Sequence, residues 1–126
     1  MHGRGARERR RRRMLQVVVS VKVYVSGPVS GRDNGNEESF RRMASMLEGL
    51  GHTALVPHDI VPEACSWQEA MRYCMTYLPT CDAAVFIDGW RSSHGARLER
   101  SVAMACGLEC WESRDVLKMV KGMMVA

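Results

Sequence analysis

A chain of 126 residues, 46% hydrophobic and 25% charged, carries enough apolar material for one domain with a real core, which excludes a disordered or low-complexity chain. No run is apolar for long enough to span a membrane, and no apolar segment with a cleavage site follows the basic N-terminus, so neither a transmembrane helix nor a signal peptide is expected. The formal charge of +4 is uneven: residues 1–13 hold Arg4, Arg7 and Arg9 to Arg13 against one acid, Glu8, and the rest holds eleven basic residues against thirteen acids.

The basicity therefore belongs to a tail, taken here as residues 1–15, and the domain to residues 16–126. Three readings of the tail stand: an arm on nucleic acid phosphates, a disordered segment without function, or a translated leader ahead of a start at Met14. Five cysteines (Cys65, Cys74, Cys81, Cys106 and Cys110) are spaced neither as a zinc knuckle nor as a redox pair. Free thiols in a reducing cytoplasm are expected.

The β-branched run "QVVVSVKVYVSG" (16–27) predicts a buried first strand. A loop rich in Gly, Asp and Asn follows. Asn36 is the expected N-cap of a helix whose stripe is Phe40, Met43, Ala44, Leu47 and Leu50, stopped by Gly51. "TALVP" (53–57) is a short second strand, followed by a Pro-containing loop. Trp67 to Leu78 is a second helix with Trp67, Ala70, Met71, Cys74 and Met75 on one side, closed by Pro79. "DAAVFI" (82–87) is a third buried strand, a third helix ends at Gly107, "LECW" is a fourth strand, and 113–123 a last helix. Strand and helix alternate over short connections. The pattern predicts a single-domain, three-layer α/β fold: a parallel sheet of four to five strands with helices on both faces.

Ligands of such sheets bind beyond the carboxyl ends of the strands. Three loops converge there: Ser26 to Asp33, Pro57 to Glu63 and Asp88 to Gly95. "SGPVSGRDNGN" is Gly-rich after a strand, but fits neither phosphate-loop pattern. Its candidates for ligand contact are Ser26, Gly27, Ser30 and Gly31. Ser92, Ser93, His94 and Gly95 stand where a helix begins, where free N–H groups, the dipole and hydroxyls suit an anion; a plain serine N-cap explains the same residues. About one turn further on is Glu99. At about 100° per residue, Gly95, Ala96, Val102, Ala103 and Cys106 surround it, while Arg97, Arg100 and Ser101 lie opposite. A carboxylate on a face of small apolar residues is costly unless hydrogen-bonded, paired or used. His52, His58 and His94 lack ligand spacing, so neither metal nor other cofactor is expected.

The segments "VYVSGPVSG", Asn36 with Phe40, "LEGLGHTALVP", Trp67 with Met71 and Arg72, "CDAAVFIDGW" and "GARLE-x-x-x-A-x-x-x-G" together resemble the small, often phage-encoded DUF4406 proteins. Those are similar to nucleoside 2-deoxyribosyltransferases and deoxynucleoside 5′-monophosphate N-glycosidases. The resemblance spans roughly residues 21–112 and implies a flavodoxin- or Rossmann-like fold of the deoxyribosyltransferase type. It implies Glu99 as the nucleophile that attacks C1′ of a deoxyribose, with Tyr24 beside it. Gly27 matches the glycine that lets sugar or base approach. Ser93, six residues before Glu99, matches a serine that contacts the 5′-phosphate. One position departs: eight residues before Asp82, where the enzymes have an aspartate that serves as general acid, stands Cys74. A thiol is a weak donor. Asp88, Asp59 and His94 are the candidates to replace it, and Asp88 is counted with Glu99 and Tyr24 as catalytic.

The expected function is cleavage of the N-glycosidic bond of a deoxynucleoside 5′-monophosphate, by hydrolysis or transfer. The alternatives are a non-catalytic nucleotide-binding module of the same fold, which Cys74 favours, and a nucleic-acid-associated protein acting through the Arg tail. A homo-oligomer is expected, because the enzymes complete their sites across subunits. Ten methionines and three tryptophans add to that expectation.

Overall fold

The computed structural model describes residues 20–125, so the tail at 1–15 and the start of the first predicted strand lie outside the described residues. Four strands form one sheet: β1 (Lys22–Ser26), β2 (Thr53–Leu55), β3 (Ala83–Phe86) and β4 (Glu109–Glu112). Their order is β2-β1-β3-β4 and every pairing is parallel. Tyr24 stands opposite Leu55 on one side and Ala84 on the other. The helices are α1 (Glu37–Gly49), a single turn α2 (Pro57–Ile60), α3 (Trp67–Tyr77), α4 (His94–Ala105) and α5 (Ser113–Val125). This is the doubly wound α/β architecture expected of the sequence.

The period of two along the strands sorts the core into two layers. Val23, Val25, Ala83, Val85 and Ile87 face α1, where Phe40, Met43, Ala44 and Leu47 meet them with Val116 of α5. Tyr24, Ala84 and Phe86 face the other way, toward Cys74 and Leu78 at the α3 end and Ala96 and Ala103 of α4. The central strands are buried on both faces and so read as near-continuous apolar runs.

Local signals set the helix ends. Ser66 and Glu69 form a reciprocal capping box at the start of α3. Gly107, at φ +77°, turns the chain out of α4. Asn36 directly precedes α1 but does not cap it. It lies in the left-handed region, and its amide donates to the Pro28 carbonyl at 3.0 Å, pinning the first loop instead. Cys106, expected on the inner face of α4, is exposed because the helix ends one residue before it.

From β1 the chain goes outward to β2, then returns across β1 to β3. The direction of winding therefore reverses between β1 and β3, and their carboxyl ends form the switch-point crevice where ligands of this architecture bind.

Candidate active site

At that crevice Glu99 enters from α4 and is 5% exposed. Tyr24 Oη donates to its Oε2 at 2.5 Å, and Ser26 Oγ donates to its Oε1 at 2.7 Å. Tyr24 and Ser26 are two residues apart on β1, so the pleat turns both side chains to the same face. The Cys74 thiol, arriving from α3, is close enough to interact with both Glu99 and Tyr24. The small residues beside Glu99 let the helices close in: a methyl group on Gly95 would come within 3.4 Å of Met71 Sδ.

Burial dominates the electrostatics. It raises the Glu99 carboxyl above its ordinary value, although the hydrogen bonds from Tyr24 and Ser26 and the neighbouring Cys74 thiol pull the other way. Burial and then the Glu99 charge push the Cys74 thiol up to about 12. The same two causes raise Tyr24. Among the described residues Glu99 is thus held by neutral donors, without the guanidinium or ammonium group that a structural ion pair would supply.

The three loops do meet. His58 Nε2 is 2.8 Å from the Gly35 carbonyl, and Arg41 holds Asp59 through both carboxylate oxygens at 2.7 and 2.8 Å. The Arg32 guanidinium reaches from the first loop over Gly89, where an added Cβ would lie 2.9 Å from it. Ser30 and Gly31 are exposed near the tip of the first loop, and Asp88 is exposed beyond β3.

Two members of the first loop are turned into the buried group. Ser26, grouped on sequence with the ligand-binding loop, is fully buried and donates to Glu99. Gly27 leaves room for the core: a Cβ there would fall 2.3 Å from Ile87 Cγ1 and 3.4 Å from Phe40 Cζ. At the start of α4, Ser93 accepts from the Ala96 N–H at 3.2 Å as an N-cap, and Ser92 Oγ donates to the Gly89 carbonyl at 3.0 Å. The Ser93 hydroxyl proton is not used by that cap. His94 is exposed and leans on Trp67, ring centroids 5.2 Å apart. Ser93 and Glu99 are six positions apart on the helix, roughly 9 Å along the axis. Among the described residues no three His, Cys, Asp or Glu side chains gather as a metal site, and no helix is long and apolar enough to cross a membrane.

A parallel sheet wound in both directions from a switch point, with a buried, hydrogen-bonded carboxylate beside it, places the chain among the doubly wound α/β proteins. Within that class the chain belongs to the DUF4406 family, a domain of unknown function whose model matches residues 21–111. Among solved structures it is similar to a 2-deoxyribosyltransferase from the psychrotolerant bacterium Bacillus psychrosaccharolyticus, with a TM-score of 0.57 and 18% identity over 72% of this chain and 70% of that one. At that identity the likeness is one of fold. No curated protein sequence matches the chain.

Proposed function

We propose that the protein cleaves the N-glycosidic bond of deoxynucleoside 5′-monophosphates, with Glu99 as nucleophile. The observation that carries this reading is a buried carboxylate oriented at both oxygens by Tyr24 and Ser26 in the switch-point crevice. The enzyme activity named for the fold's solved relative belongs to the same chemistry. A Glu99 oxygen bonds to C1′ as the C1′–N bond breaks, and the base leaves with the electron pair. Water, or a second base, then takes the deoxyribosyl group from Glu99. Tyr24 and Ser26 hold the carboxylate in line. Asp88 stands at the mouth, where it meets ligand outside the buried group.

The phosphate is assigned to the start of α4, where Ser92, Ser93, His94 and the N–H of Gly95 lie, joined by Ser30 and Gly31 of the first loop. The expected result is free base released from deoxynucleoside monophosphates, read by chromatography, at a kcat/KM at least about tenfold above that for the free nucleosides, the size of one charge-assisted contact. Equal rates would remove the phosphate site, and no release from either would remove the enzyme. The buried thiol at Cys74 favours a second reading, nucleotide binding without turnover.

The chain is further proposed to act in the cytoplasm, in keeping with its five free cysteines, and as a homo-oligomer. Tyr73 and Tyr77 of α3 and Leu98 and Met104 of α4 are between 39% and 56% exposed, a large apolar share to leave in water. Sedimentation is expected to give a mass of at least twice 14.2 kDa, and a monomer would refute it.

A further inference from the structure

Among the described residues the groups that surround Glu99 are two hydroxyls and a thiol, and none of them is built to give a proton away. Tyr24 and Ser26 already spend theirs on the carboxylate. The carboxyl groups of the described residues are engaged or placed elsewhere. Asp59 is clamped by Arg41, and Glu112 faces Arg91. Glu69 closes its capping box on the exposed side of α3. Asp82 accepts from the Lys22 backbone at the opposite end of the strands. Asp88 and His94 stand in solvent, outside the buried group, and Asp33 and Glu63 are exposed on their loops.

A nucleophile without an acid partner selects its substrates by leaving group. An unmodified purine departs as a poorly stabilised anion unless a proton reaches its ring. A purine alkylated at N7 carries a positive charge already. When its C1′–N9 bond breaks, the electron pair neutralises the ring and the base leaves neutral, with no proton added. Water then bonds to C1′, the bond from C1′ to Glu99 breaks, and the water proton goes to solvent. The charges balance without any acid in the crevice.

We propose that this site serves deoxynucleotides whose bases depart without taking up a proton, N7-alkylated purine deoxynucleotides above all. The proposal rests on the glycosidase reading and names the substrate class of that same site.

The test compares N7-methyl-2′-deoxyguanosine 5′-monophosphate with unmodified deoxyguanosine 5′-monophosphate on the full-length protein. Release of base is followed by chromatography at neutral pH. The Glu99→Gln variant supplies the background, because the methylated compound also loses its base unaided. The expected result is Glu99-dependent release of 7-methylguanine with a kcat/KM at least about 100-fold above that for the unmodified nucleotide, the lower end of what a general acid contributes. A smaller ratio overturns the proposal and leaves the glycosidase standing, since an acid must then act in the crevice. No Glu99-dependent release from either nucleotide overturns both.

Discussion

Glutamine at position 99 is expected to abolish base release and, at neutral pH, to make the folded protein more stable. The two effects have one cause. The carboxyl is 5% exposed, and burial raises its pKa in the folded state above the unfolded value, against the pull of the Tyr24 and Ser26 hydrogen bonds. Between those two values the folded state binds more protons than the unfolded state, so stability falls as pH rises through that window. Above it the full cost of keeping the charge buried is present. Below the unfolded value, near 4.5, both states are protonated and the cost is gone. Glutamine has nearly the same shape and no charge. The gain is therefore expected at neutral pH, about 1 kcal/mol, or about 4 °C in Tm for a domain of this size, and it should vanish in acid. Activity follows the opposite course, rising with pH through the folded pKa as the nucleophile ionises. A variant that melts lower than the parent at pH 7 would show that the carboxylate is held in place for structural reasons.

Much of this site could be read from residue order. Glu99 on a face of small residues announced a buried carboxylate, while Tyr24 came only from the family resemblance. The strand period of two, applied to Ser26, would have paired it with Tyr24. It was assigned to the loop because it stands next to Gly27 and Pro28, where loop composition begins. The first loop resisted reading for a different reason. Asn34, Gly35 and Asn36 all adopt positive φ, a local choice fixed by partners distant in sequence, such as the Pro28 carbonyl for Asn36 and His58 for Gly35. At the turn of helix Pro57–Ile60, Asp59 meets Arg41 across eighteen residues, a pairing that spacing along the chain does not announce. Cys74 is the intermediate case. Its helix and inward face follow from spacing, but only the packed structure puts its thiol beside both Tyr24 and Glu99.

Aspartate at position 74 is expected to raise base release from unmodified deoxyguanosine monophosphate by about 10²–10⁴-fold, the usual contribution of a general acid. The thiol it replaces is buried and is pushed up to about 12 by burial and by the Glu99 charge. The same two forces act on a carboxyl at that position, and both favour its protonated form. A carboxyl whose protonated form is favoured beside the Glu99 charge supplies the acid that Tyr24, Ser26 and the Cys74 thiol do not. The N7-methylated nucleotide needs no such proton, so its rate is expected to change by less than about threefold, far below a general-acid effect. The substitution puts a second carboxyl into an apolar layer beside Leu78 and Phe86, which costs stability by about 1–3 kcal/mol. Melting curves must therefore show a folded protein before rates are compared. Cys74→Asn carries the same bulk without an acidic proton. If it raises the rate as much as aspartate does, the gain comes from packing or polarity. If a folded Cys74→Asp variant binds the unmodified nucleotide and turns it over no faster than the parent, protonation of the base is not what limits this site.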